Sequence, residues 1–181
     1  MRVISGSARG RRLKEPAGFK IRATSDKVKE SVFNIVQFDV EGRRVLDLFA
    51  GSGQYGIEAL SRGARNVVFV DSASESVKLV KENLNICGFS DMSTVYARDA
   101  LKFLDGDEKF DLIFIDPPYD TSLAVRAVDK IVEFDKLNIN GIIIIELKSS
   151  ASSPVVTLPY SLQKEYIYGT VKIARYTRET L

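Results

Sequence analysis

From residue 43 onward, short apolar β-branched runs alternate with amphipathic stretches of helical spacing, and few folds accommodate that alternation. Strands are expected over residues 44–48, 66–70, 94–97, 111–115 and 142–147. Helices are expected from the glycine-rich turn to about Arg62, over 74–86, briefly after Asp99, and over 123–134. In the second of these, Val77, Val80, Leu84 and Cys87 fall on one side. Units of this length join parallel strands through right-handed crossovers, so a doubly wound, mostly parallel sheet follows. Residues 162–176 instead alternate polar and apolar around Tyr168-Gly169, as an antiparallel hairpin closing the sheet does.

One strand ends unusually. Leu112 to Ile115 is wholly apolar, the pattern of a strand buried on both faces, and it stops at Asp116-Pro117-Pro118-Tyr119. Proline cannot donate to the ladder and pushes the preceding residue out of helical conformation, so the chain leaves the sheet as a stiff extended turn. Asp116 and the Pro117 carbonyl are acceptors, and an exocyclic NH2 group offers two donors. Tyr119 can stack on a planar ring, with Pro118 beside it. The plainer alternative is a strand-ending turn carrying an incidental aspartate.

The chain contains no histidine, which excludes Ser-His-Asp, Cys-His and histidine-based metal chemistry. Direct transfer of an activated group stays open. The single cysteine, Cys87, lies in a helical pattern and reads as a small buried hydrophobe. The longest aliphatic run, Ile142 to Ile145, is too short to span a bilayer, and Met1 to Ile4 runs straight into polar and basic residues. A cytoplasmic protein with no metal is therefore expected.

Charge is uneven. Residues 1–29 carry nine Lys/Arg against two Asp/Glu, net +7, while the remainder carries 17 against 22, net −5. A basic arm on a mildly acidic body suits a polyanion. Arg9, Arg11 and Arg12 supply charge among Gly6 and Gly10, and two short strands over residues 2–5 and 11–14 are expected to form a hairpin beside the main domain. The division drawn is a basic extension over residues 1–24 and a catalytic domain over 25–181. A helix capped near Ser25 or Asp26 follows, packing Val28, Val32, Ile35 and Val36 inward, with Lys27 and Lys29 pointing elsewhere.

Gly51-x-Gly53-x-x-Gly56 after the first strand, with Asp71 twenty positions beyond Gly51, meets the dinucleotide fingerprint. A nicotinamide enzyme is thus a fair competitor to an S-adenosylmethionine enzyme. Asp47 ends the first strand where a carboxylate repels a pyrophosphate and attracts an ammonium, and Asp99-Ala100 adds an acceptor suited to an adenine amine. Both details favour the cationic cofactor.

Val45 to Gly53 together with Asp116-Pro117-Pro118-Tyr119 resembles the class I methyltransferases that modify amino groups of nucleic-acid bases. Arg2-x-Ile4-x-Gly6, Gly10-Arg11, the stretch from Arg22 through Thr24 and Asp26 to Phe33-Asn34, Glu58 to Ala64, and Tyr168-Gly169-Thr170 look like the RsmD family, the 16S ribosomal RNA guanine-N2 methyltransferases. The likeness covers essentially the whole chain. It implies a Rossmann-like class I sheet with an antiparallel C-terminal hairpin and a small N-terminal β-hairpin extension. It implies S-adenosylmethionine held by Thr24, Asn34, Asp47, Phe49, Gly51, Gly53, Asp71, Asp99, Ala100 and Asp116, with Phe33 near the cofactor. Chemistry would fall to Asp116, Pro117 and Tyr119, and RNA contact to Arg9, Arg11, Arg12, Arg22, Pro118 and Tyr119. The implied partner is 16S rRNA within the small ribosomal subunit or its assembly intermediate, met by a monomer. A DNA adenine-N6 methyltransferase shares the Asp-Pro-Pro-Tyr turn, but this chain has little room for a target-recognition region. A small-molecule methyltransferase would not need the arm, and a non-catalytic RNA-binding module would not need Asp47, Gly51, Gly53 and Asp116 together.

Overall fold

A computed structural model describes residues 1–15, 26–117 and 122–180. Among the described residues, seven strands form one sheet: β1 (Arg44–Leu48), β2 (Asn66–Asp71), β3 (Ser93–Ala97), β4 (Phe110–Ile115), β5 (Leu137–Lys148), β6 (Tyr160–Tyr168) and β7 (Val171–Arg178). Their spatial order is β3-β2-β1-β4-β5-β7-β6, parallel from β3 to β5, with β7 and β6 antiparallel. The helices are α1 (Asp26–Ile35), α2 (Gln54–Ser61), α3 (Ser74–Cys87), α4 (Ala100–Phe103) and α5 (Leu123–Glu133).

The period-2 geometry of a strand divides the apolar runs between two cores. Leu112, Phe114, Ile142 and Ile144 face one cluster together with α1, α2 and α3. Ile113, Ile115, Ile143 and Ile145 face the other together with α4 and α5. Full burial of such a side chain contributes about 1.5–3 kcal/mol, so the central strands are the most strongly held part of the molecule. Among the described residues, no helix is long and apolar enough to cross a membrane.

Three expectations need correction. The N-terminal hairpin is not a pair of strands: it closes through one antiparallel bridge, Arg2 to Arg12, with Val3, Ala8 and Leu13 turned into the α1–α3 core. Gly6 and Gly10, both at positive φ, shorten the ladder. Lys29 does not point away from the core. It is fully buried, because its ammonium donates to the Arg2 carbonyl at 2.6 Å and lies 3.6 Å from the Glu58 carboxylate. β5 begins five residues earlier than expected, at Leu137, with Asn140 and Gly141 taken up by a register irregularity opposite residues 110–112.

Candidate active site

The chain runs from β1 outward through β2 to β3, then returns to place β4 on the other side of β1. The carboxyl ends of β1 and β4 therefore flank the crevice where the winding reverses, the position at which open α/β sheets bind ligands. Leu48 pairs with Ile115 across this boundary, so the turn after β1 and Asp116-Pro117 emerge side by side. Asp116 is partly exposed and Pro117 is buried.

Phe49 turns the chain at the end of β1 with φ 72°, a left-handed conformation uncommon for a bulky side chain. The turn is held because the N–H groups of Phe49 and Ala50 both donate to the Val70 carbonyl, at 3.1 and 2.9 Å. Gly51 and Gly53 follow at φ 54° and 78°, and Gly53 opens α2 by donating to the Ala50 carbonyl at 2.7 Å. The third glycine has a packing role. A Cβ on Gly56 would lie 2.2 Å from the Phe69 ring, so only glycine lets α2 sit this close to β2.

Carboxylates surround this loop. Asp47 is buried beneath it and accepts a hydrogen bond from the Gly56 N–H at 2.9 Å. Burial pushes its pKa up to about 7; the Gly56 hydrogen bond opposes the rise and the neighbouring Asp71 adds to it. Asp71 ends β2 and accepts from the Gly51 N–H at 2.8 Å and from the Ala73 N–H at 2.9 Å. Asp99 caps α4, accepting from the Lys102 N–H at 2.9 Å, with Ala100 buried behind it. Arg98 N–H donates to the Asp71 carbonyl at 3.0 Å, which places the Asp99 turn beside the end of β2.

The remaining expected residues are spread more widely. Phe33 is fully buried, with its ring 5.5 Å from Phe114 and 6.3 Å from Tyr55, while Asn34 is exposed on α1. Arg9, Arg11 and Arg12 are exposed on the hairpin. Arg22, Thr24, Pro118 and Tyr119 lie outside the described residues.

Sequence reading missed several polar residues that hold the site. Glu58, fully buried on α2, accepts from the Ile4 and Ser5 N–H groups at 2.8 and 2.9 Å and from Arg62 Nε at 2.9 Å. Arg62 in turn lies over the Phe33 ring, 4.7 Å from its centre. Ser61 completes the attachment by donating to the Ser5 carbonyl at 2.5 Å and accepting from the Ala8 N–H at 2.9 Å. Gly6 meets Ser61 so closely that a Cβ would fall 1.7 Å from its carbonyl oxygen. Glu146, near the carboxyl end of β5, accepts from the Tyr55 hydroxyl at 2.8 Å, while the Tyr55 ring stacks on Phe114. A signal existed for two of them. Glu58 interrupts the apolar sequence of α2, and Glu146 directly follows four isoleucines.

The family model described as Conserved hypothetical protein 95 matches residues 1–177. YlbH of Bacillus subtilis is 40% identical over 182 residues, covering 98% of this chain and 99% of its own. Ribosomal RNA small subunit methyltransferase D of Haemophilus influenzae is 34% identical, covering 97% and 93%. Among solved structures, yhhF of Escherichia coli superposes with a TM-score of 0.90 at 28% identity, covering 100% of this chain and 99% of that one. The crevice, its glycine loop and its carboxylates thus sit on the fold of known methyltransferases, and the chain belongs to the Conserved hypothetical protein 95 family, the RsmD family of methyltransferases that its motifs resemble.

Proposed function

We propose that the chain methylates the exocyclic N2 amine of a guanine in 16S rRNA, using S-adenosylmethionine. The substrate is the small ribosomal subunit or its assembly intermediate, and the enzyme acts as a cytoplasmic monomer. The observation that carries this reading is the convergence of Asp47, the Gly51–Gly53 turn and Asp71 on the crevice from which Asp116-Pro117 emerges.

The residues present suit the cofactor. Gly51 has nothing within 4 Å of where a Cβ would stand, so main chain there is open to close approach. The carboxylates of Asp47, Asp71 and Asp99 suit a cationic nucleoside and disfavour a pyrophosphate. Asp47 would hold the ammonium, Asp71 the ribose diol, and Asp99 with Ala100 the adenine amine; Phe49, Thr24 and Asn34 would complete this set. Bound S-adenosylmethionine supplies a methyl group already activated on a sulfonium.

What remains for the protein is to hold the acceptor. An exocyclic amine is a poor nucleophile because its lone pair is delocalised into the ring. The Asp116 carboxylate and Pro117 carbonyl accept its two N–H groups and stabilise the positive charge that develops on nitrogen. Orientation of the amine supplies much of the remaining acceleration. Asp116 passes the released proton to water, and no covalent enzyme intermediate is required. Tyr119 and Pro118 pack on the flipped base, and Arg22 joins the hairpin arginines on RNA.

The test is transfer of labelled methyl to small subunits from cells lacking this gene, followed by nucleoside analysis. N2-methylguanosine is the expected product. N6-methyladenine on DNA with none on RNA would replace this reading with a DNA methyltransferase, and no transfer would favour a binding module.

A further inference from the structure

Asn83 lies in α3, fully buried, and its carboxamide joins two segments that are distant in sequence. Its Oδ1 accepts from the Lys14 N–H at 2.7 Å, while Nδ2 donates to the Lys14 carbonyl at 3.1 Å and to the Ser52 carbonyl at 3.0 Å. One acceptor meets a donor and two donors meet acceptors, so this amide orientation alone satisfies all three partners.

Ser52 stands between Gly51 and Gly53, both at positive φ. Three contacts pin this turn: Gly51 N–H on Asp71, the Ser52 carbonyl on Asn83, and Gly53 N–H on the Ala50 carbonyl. Asn83 is the only one of these anchors that also grips the N-terminal hairpin. Lys14 is two residues beyond Arg12, so the amide fastens the basic surface to the glycine turn. The Ser52 hydroxyl adds a second link by donating to the Met1 sulfur at 3.5 Å.

We propose that Asn83 is a positioning residue for the cofactor loop, fixing the glycine turn in its binding conformation against the basic N-terminal hairpin. The proposal rests on the cofactor reading above. With Asn83 in place, the turn does not lose conformational freedom when the cofactor binds; without it, that ordering falls on binding.

Asn83→Asp is the informative substitution. It keeps the acceptor for Lys14 N–H but sets a carboxylate against the Lys14 and Ser52 carbonyls, which it cannot pair. Equilibrium dialysis with S-adenosylmethionine, together with steady-state methyl transfer to small subunits, reads the result. The dissociation constant and KM for the cofactor are expected to rise about tenfold, with kcat at saturating cofactor within about twofold of wild type. Asn83→Ala, which adds no charge, should move both constants in the same direction by less. Ile131→Val, on the opposite face of the sheet, serves as the control for general loss of stability and should leave cofactor affinity unchanged. Folded Asn83 variants with wild-type cofactor affinity, or an equal loss in Ile131→Val, would overturn the proposal. If the wild-type protein itself binds no S-adenosylmethionine, the cofactor reading fails first and the proposal falls with it.

Discussion

Asp116 and Asp47 are both strand-ending carboxylates, yet their surroundings give them different work. Asp116 is partly exposed at the turn after β4, where it can meet an amine, so Asp116→Ala should lower turnover at saturating cofactor by roughly 100- to 1,000-fold. Near-normal turnover in that variant would remove Asp116 from the chemistry. Asp47 is buried with its pKa raised to about 7, so a sizeable fraction carries a proton at neutral pH. A cationic ligand favours the ionised form, so cofactor affinity should rise as pH increases from 6 to 8, and Asp47→Asn should flatten that dependence; isothermal titration across this range checks both. The linkage to stability has the opposite sign. Because the folded pKa lies above the ordinary aspartate value of 3.8, the unfolded chain holds fewer protons between the two, and this group's contribution to stability falls as pH rises from about 4 to about 7.

At the scale of elements, α2 serves both ends of the site. Its N-terminus is the glycine turn, and its far end, through Glu58 and Ser61, holds the hairpin backbone. The charges there are buried together: Glu58 lies between Lys29 from α1 and Arg62. Burial lowers the Lys29 pKa, and Glu58 opposes that shift most strongly. Removing the carboxylate leaves Lys29 without its counter-charge and two main-chain N–H groups without an acceptor. Glu58→Ala should therefore cost about 3–5 kcal/mol, measured by urea unfolding, and Glu58→Gln should cost less because one amide oxygen survives as an acceptor. A loss below about 1 kcal/mol in Glu58→Ala would show that water replaces the carboxylate.

Across the whole molecule, charge is segregated by position. The exposed Arg9, Arg11 and Arg12 lie on a hairpin that is anchored to α2 and α3, so their charge is held in a fixed place relative to the crevice. Replacing all three with alanine should weaken binding to small subunits and reduce the slope of log affinity against log salt by about two to three, while cofactor affinity is unchanged. Filter binding across a salt series measures it, and an unaltered slope would show that these arginines do not meet phosphate.

The sequence alone carried the α/β alternation, the existence and order of the parallel strands, the glycine turn and the break of β4 ahead of Pro117. These rest on local physics: apolar periodicity, the φ freedom of Gly51 and Gly53, and the missing N–H of proline. Only the tertiary structure decided which polar residues became internal. Lys29 sits on a helix that could equally have shown it to water, and the Arg2 carbonyl and Glu58 together made burial possible. Asn83 looks like any polar residue of an amphipathic helix until Lys14 and Ser52, 69 and 31 positions away, close around its amide. Likewise the hairpin, expected beside the main domain, sends Val3, Ala8 and Leu13 into the same core as α1–α3. Periodicity records which face of an element is apolar; whether a polar group on it is buried depends on partners that the chain brings in from elsewhere.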